Sequence, residues 1–456
     1  MDKSFTSVNP ATGAVIAAYG EHTDQELEAI LAQSHGALRC WRKFRMDERA
    51  ACLHKLADML EAGTDELAAL ITAEMGKPVG EARAEIKRCA SGCRFYADHA
   101  PEMLAPETPP GAPEDAQIVY DPIGVVLGIM PWNFPFWQAL RCAAPVLMAG
   151  NSFLLKHAPS VTGCALAMEE LFTRCGAPEG LMRVLRIGEE RVASVIEDKR
   201  VRAVSLTGSC RAGSAVAAAA GRAIKKCVLE LGGSDPFIVL EDADLHLAAT
   251  TAVAARFYNA GQTCVSAKRF LVARKVVREF EERMVHAVGL LKMGDPCDVA
   301  TRVGPMARAD LREALHTQVG RSLEMGARML LEGGPVEGPG FFYSPVVLGG
   351  VRPGMPVFEQ EVFGPVASIT SFATPEDALR LANQTPYGLG GSVWTANAAL
   401  GRKLASFIEA GTVAVNALVK SDPRLPFGGV KNSGFGRELG RQGLLEFVNV
   451  KVLRIP

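Results

Sequence analysis

The stretch Leu229-Glu230-Leu231-Gly232-Gly233 is followed, thirty-four residues after its carboxylate, by Asn259-Ala-Gly-Gln-Thr-Cys264. A thiol and a carboxylate, each in a glycine-containing turn, are the parts of a two-step acyl chemistry. The thiolate is the attacking species, and a cysteine with a pKa of about 8.5 supplies little of it at pH 7, so the surroundings are expected to favour the charge. Gly261, Gln262 and Thr263 let bare backbone N–H groups approach a reacting oxygen. The carboxylate then activates water against a covalent thioester. A free cysteine is ordinarily a small buried apolar residue, and with eleven in the chain, Cys264 alone decides nothing.

Working outward, composition describes a large folded chain. At 456 residues and 48% hydrophobic content there is material for two or three domains with real cores. Lys plus Arg at 49 against Asp plus Glu at 50 leaves a net charge of −1, which argues against nucleic acid or acidic lipid as partners. No segment reaches the roughly 18 uninterrupted apolar residues of a membrane span, and no apolar run follows Met-Asp-Lys-Ser-Phe at the start, so a cytoplasmic protein is expected. An odd number of irregularly spaced cysteines fits a reducing compartment. Cys89 and Cys93 share a helical face, but no histidine or second cysteine pair accompanies them, so no metal is expected.

The first hundred residues read as helices. Thr23 with Glu26 is a capping-box signature, and Thr64-Asp-Glu opens a helix ended near Gly76 and Pro78. Five prolines between Pro101 and Pro113 forbid regular helix and mark a boundary. Beyond Gln117, short apolar runs at Gly124–Met130, Ser152–Lys156, Val201–Leu206 and Lys225–Leu229 alternate with helical segments such as Phe136–Ala149 and Ser160–Cys175. That alternation predicts an α/β fold with a parallel sheet covered on both faces.

Further motifs stand at ordered intervals: Pro131-Trp132-Asn133-Phe134-Pro135, Lys156, Gly208-Ser209 with Gly213, Glu361-Val-Phe363-Gly-Pro, and Pro426-Phe-Gly-Gly with Ser433-Gly-Phe-Gly-Arg437. Together with Glu230 and Cys264 they resemble the aldehyde dehydrogenase superfamily over essentially the whole chain. The resemblance implies a Rossmann-like cofactor-binding domain (residues 1–103 and 123–231) and an α/β catalytic domain (232–432). A β-hairpin oligomerisation segment (104–122 with 445–456) would serve a homodimer or homotetramer. It also implies that Cys264 attacks an aldehyde, that Asn133 and the Cys264 N–H hold the oxyanion, and that hydride passes to a nicotinamide. Water activated by Glu230 would then release a carboxylic acid.

No GxGxxG fingerprint follows any predicted strand. The glycine-rich candidate is Gly208-Ser209-Cys210-Arg211-Ala212-Gly213, where N–H groups at a helix start suit pyrophosphate, although such a turn is as readily a plain cap. The resemblance assigns the cofactor to this turn together with Trp132, Lys156, Ser160 and Leu231, and to Glu361 and Phe363 at the nicotinamide end. Arg211 stands where relatives are usually acidic, and Pro159 where NAD-preferring relatives often have a Glu that repels a 2′-phosphate. With no carboxylate there and with Lys156 and Ser160 able to donate, NADP is expected to be accepted as well as NAD.

Trp137 and Arg141 lie one helical turn apart after the Asn133 turn. A guanidinium there suits a distal carboxylate, which it holds in a fork; otherwise Arg141 is a helix-surface ion pair. Ser421 lies where the family's substrate loop falls, and the arrangement is similar to the bacterial succinate-semialdehyde dehydrogenases. Two rivals differ at named residues. CoA-acylating relatives usually lack the carboxylate that stands here as Glu230, and a non-catalytic descendant would have lost Cys264, Asn133 or Glu230.

Overall fold

The computed structural model describes residues 4–455. Met1–Lys3 and Pro456, where the first expected domain begins and the expected oligomerisation segment ends, lie outside the described residues. Two large sheets organise the chain. The first runs in the order Gly434–Phe435, Lys226–Glu230, Val201–Thr207, Val125–Met130, Ser152–His157, Met182–Val184, all parallel except the short first strand. The four apolar runs read from the sequence are four of these strands, each displaced by at most a residue or two. Val125–Met130 is buried on both faces except at Ile129, as a parallel strand covered by helices must be.

The second sheet is ordered Arg328–Leu331, Val346–Gly349, Val366–Phe372, Ala267–Ala273, Asp235–Val239, Gly390–Trp394, Thr412–Val415, with only its Arg328–Leu331 edge antiparallel. Glu230 ends the last parallel strand of the first sheet, and Asp235 opens a central strand of the second. The glycines between them therefore carry the chain from one sheet to the other. A third, two-stranded sheet pairs Ala116–Pro122 with Val448–Arg454 antiparallel along their whole length.

Two expectations for the first hundred residues need correction. The chain opens with an antiparallel pair, Ser4–Val8 and Val15–Gly20, before any helix. The helix Val79–Met103 also continues through Pro101. Pro101 falls in the last turn, where few hydrogen bonds remain to be lost and Ala97 and Ala100 anchor the turn in the core. The capping box at Thr23 and Glu26 is present, and Thr64–Met75 ends at Gly76 in a left-handed cap, as the sequence predicts.

Candidate active site

Asn133 lies in the turn between Val125–Met130 and the helix Pro135–Met148. The helix has no capping side chain of its own. Instead Glu85, from Val79–Met103, accepts the amides of Phe136 at 2.9 Å and Trp137 at 3.0 Å through Oε1. Its other oxygen pairs with the fully buried Lys77, whose ammonium lies 3.7 Å from the centroid of the Phe134 ring. On the far side His157 Nδ1 accepts the Ala158 amide, while Nε2 lies 2.9 Å from the Pro135 carbonyl. Burial pushes His157 down to about 4, so at pH 7 it is neutral and the proton sits on Nε2, donating to Pro135.

The nucleophile's segment is held as firmly. After the helix Leu245–Phe257 comes a turn in which Asn259, Ala260 and Gly261 are all left-handed, at φ 53°, 50° and 74°. Each non-glycine residue there costs about 1–2 kcal/mol, so the surroundings must impose the shape. Asn259 Nδ2 donates to the Asn133 carbonyl at 2.9 Å, and its amide donates to Glu81 Oε2 at 2.7 Å. A Cβ at Gly261 would meet the Gly364 carbonyl at 2.3 Å, so the position is closed to side chains. Buried Arg256 ties this turn to the Glu361 loop, donating to Ser266 Oγ at 2.6 Å, Val362 O at 2.9 Å and the Gly364 carbonyl.

Cys264 lies in the wall of a cavity of about 390 Å³, together with Phe134, Trp137, Arg141, Ser421 and Arg88. Although its surface opens to the cavity, burial pushes the thiol up to about 11 against the pull of Arg141 and Lys268. The expectation that the surroundings favour the thiolate therefore fails for the protein alone, because desolvation outweighs the neighbouring charges. Asn133 Nδ2 donates to the Gln262 carbonyl at 3.0 Å, leaving its second hydrogen for another acceptor.

Glu230 is 2% exposed, and neither carboxyl oxygen has a hydrogen-bond partner among the described residues. Burial foremost, and Glu438 next, raise its pKa well above the usual carboxylate range, while Arg141 and Arg437 oppose them. Arg141 is not the surface ion pair that the sequence left as the alternative. It is buried, ion-paired through Nε with buried Glu438, and donates to Thr207 Oγ1 at 3.3 Å. It shares its charge with Glu438 and, as expected, lines the same cavity as Cys264, Trp137 and Ser421.

Trp137 and Ser421 are brought together: Trp137 Nε1 donates to Ser421 Oγ at 3.3 Å. At the other end of the site, Glu361 Oε1 accepts the Gly233 amide at 3.0 Å and lies 3.6 Å from the buried Lys268 ammonium. Phe363 meets Trp132 edge to face at 5.7 Å. Ser209 caps the helix Cys210–Arg222, its Oγ accepting the Ala212 amide at 3.2 Å, and Arg211 is exposed in the first turn. Gly208 leads into that cap, and a Cβ on Gly213 would come within 2.6 Å of the Leu231 side chain, so the glycine lets the helix rest on Leu231. Ser160 sits half-buried in the turn Pro159–Val161.

Lys156 is buried, and desolvation lowers its pKa while Glu189 and Glu190 raise it. Two carboxylates thus act on Lys156 from another segment, while the neighbouring place expected to lack an acid is Pro159. Among the described residues no cluster of His, Cys, Asp and Glu is arranged to hold a metal ion. Among the described residues no helix is long and apolar enough to cross a membrane.

Sequence reasoning missed Glu438, Lys268, Arg256, Glu85 and Arg88. Glu438 directly follows the Ser433-Gly-Phe-Gly-Arg437 motif, and Lys268-Arg269 inside an otherwise apolar strand was a visible signal of buried charge. Arg88, Glu85 and Arg256, all on helices, carried none.

The model of the aldehyde dehydrogenase family matches residues 1–453. The succinate semialdehyde dehydrogenase [NAD(P)+] of Escherichia coli K12 is 47% identical over 447 residues, 98% of this chain and 97% of that one. A probable succinate-semialdehyde dehydrogenase [NADP(+)] of Synechocystis is 48% identical over 452 residues, 99% of this chain and 100% of the other. Among solved structures, succinic semialdehyde dehydrogenase from Streptococcus pyogenes, in complex with NADP+, superposes with a TM-score of 0.96 at 38% identity. That match covers 99% of this chain and 100% of that one.

Proposed function

The chain belongs to the aldehyde dehydrogenase family, and from that premise we propose that it oxidises succinic semialdehyde to succinate with NADP or NAD. The observation that carries this reading is the cavity that joins the Cys264 thiol to a cationic wall lined by Arg88 and Ser421. A small aldehyde with a carboxylate at its far end matches both ends.

The first sheet is the cofactor-binding part and the second the catalytic part. Lys156 and Ser160 hold the adenosine ribose side. Gly208, Ser209, Arg211 and Gly213 face the pyrophosphate at a helix start, and Leu231, Trp132, Glu361 and Phe363 hold the nicotinamide side. The fit rests on a buried lysine, a capped helix N-terminus and a carboxylate packed so tightly on Gly232 that a Cβ there would lie 2.3 Å from Glu361 Oε2. Pro159 in place of an acid favours acceptance of a 2′-phosphate, and Glu189 and Glu190 temper that preference.

Cys264 releases its thiol proton to solvent as Sγ adds to the aldehyde carbon, and the oxyanion so formed is held by the Asn133 amide and the Cys264 backbone N–H. The nicotinamide that Glu361 and Phe363 would hold would supply the hydride acceptor needed to oxidise the thiohemiacetal to the thioester. Glu230 then takes a proton from water as that water attacks the thioester carbon, and succinate leaves with the thiol restored. Arg141 balances Glu438 beside the base. NAD(P)H formation with succinic semialdehyde, run with each cofactor and with and without CoA, tests the proposal. Turnover that requires CoA would replace it with an acylating reaction, and no turnover would make the chain a non-catalytic member of the fold.

Association rests on the strand Val448–Arg454. Its pairing with Ala116–Pro122 leaves Val450 and Val452 on one face, 56% and 62% exposed. That strand joins a second copy in a homodimer or homotetramer.

A further inference from the structure

Cys264 is flanked by two peptide units, and one side chain holds the carbonyls of both. Lys268 stands four residues on, fully buried in the strand Ala267–Ala273. Its ammonium donates to the Thr263 carbonyl at 3.0 Å and to the Cys264 carbonyl at 2.6 Å. The third hydrogen is left for Glu361 Oε1, 3.6 Å away, and for the Ser266 carbonyl at 3.5 Å. Burial presses the Lys268 pKa downward, and Glu361 and Asp235 hold its charge against that pressure. A Cβ at Gly233 would lie 2.9 Å from the Cys264 carbonyl, so the turn that joins the two sheets packs against the same backbone. A buried ammonium is costly where an apolar side chain would simply fill the strand, and no step of the reaction described above uses it.

We infer that Lys268 is a positioning residue for the oxyanion: by fixing the Thr263 carbonyl it aims the Cys264 N–H that faces the reacting oxygen. The peptide between Thr263 and Cys264 is planar and trans, so its C=O and N–H point in opposite directions. A carbonyl turned onto the ammonium turns that N–H away from it, and among the described residues the N–H has no acceptor of its own. The bond to the Cys264 carbonyl fixes the following peptide as well, so the nucleophile is held on both sides. A donor already aimed stabilises an oxyanion best, because nothing has to turn as the charge develops. The inference rests on the reading of Cys264 as an acyl-forming nucleophile and adds the residue that sets its backbone.

The test separates aim from reactivity in the cofactor-free protein. p-Nitrophenyl acetate acylates a thiolate through a tetrahedral oxyanion: Sγ takes the acetyl group and p-nitrophenolate leaves. Iodoacetamide alkylates the same Sγ with loss of iodide and forms no oxyanion. Lys268→Met removes a charge that pulls the thiol pKa down, which slows both reactions alike through the thiolate fraction. The ratio of the acylation to the alkylation rate constant therefore reports the aim alone. It should fall about ten- to a hundredfold in Lys268→Met, and fall less in Lys268→Gln, whose amide can still hold one carbonyl. An unchanged ratio in Lys268→Met would overturn the inference and leave Lys268 a structural cation, whatever the denaturation midpoint does. Should that variant fail to fold, Lys268→Gln carries the test alone, and an unchanged ratio there overturns the inference equally. Cys264→Ala gives the baseline. If the unaltered protein releases no burst of p-nitrophenolate above it, the nucleophile reading falls and this inference with it; if the burst is present and the ratio does not move, only the inference falls.

Discussion

At the scale of the residue, the resting Cys264 carries its proton. A thiol pushed up to about 11 is almost wholly neutral at pH 7 and gains its charge only as pH rises toward that value. Alkylation of Cys264 by iodoacetamide in the cofactor-free protein should therefore keep accelerating through pH 10, and Cys264→Ala should remove both the labelling and turnover. A rate plateau near pH 7 would show a thiolate-favouring site instead. Glu230 shifts in the same direction, which for a carboxyl means that the proton is retained to higher pH. Its basic form is lost as pH falls through a pKa above the ordinary carboxylate range, so the acid limb of steady-state turnover should lie higher than an exposed glutamate would place it. Glu230→Gln should lower steady turnover by about 10²–10⁴-fold while a first-turnover burst of NAD(P)H persists. Rapid-mixing kinetics would show it, and an equal loss in both phases would remove Glu230 from the deacylation step. Cys264, Glu230 and Asn133 were legible because each sits in a local turn pattern. Glu438 and Arg88 were not, since what singles them out is a partner supplied by a remote segment, Arg141 for the one and Ser421 for the other.

At the scale of the element, the helix Pro135–Met148 is buried on every side, including Gln138 and Arg141. A helix that enters the core without its own cap must be given one, and Glu85 does so with a charge that is itself neutralised by Lys77. Glu85→Gln leaves the Lys77 ammonium without its ion-pair partner, at a cost of about 3–5 kcal/mol, readable as a fall in the denaturation midpoint. A loss below 1 kcal/mol would show that Lys77 finds another anion. The strands of the first sheet were legible because burial on both faces writes a continuous apolar run. The opening pair Ser4–Val8 and Val15–Gly20 was not, because it is short and mostly exposed and so lacks such a run. The left-handed turn at Asn259–Gly261 was also invisible, since Asn and Ala adopt it under the compulsion of Glu81, Asn133 and Gln262 rather than by preference.

At the scale of the whole molecule, the exposed valines of Val448–Arg454 form an apolar edge that the monomer does not cover. Val450→Lys with Val452→Lys should shift the mass measured by light scattering to a smaller species, and an unchanged mass would place the interface elsewhere. The order of the first sheet has a different consequence. Its edge strand Lys226–Glu230 is closed by Gly434–Phe435, delivered from almost the end of the chain, and Glu438 reaches Arg141 in the same movement. At about 5–20 residues per second, a ribosome takes on the order of 10–40 s between making the two strands. Throughout that interval the nascent protein holds an open sheet edge and an unneutralised arginine. The interval sets a window in which a chaperone, or a neighbouring nascent copy, competes with the chain's own C-terminal segment for the same backbone hydrogen bonds.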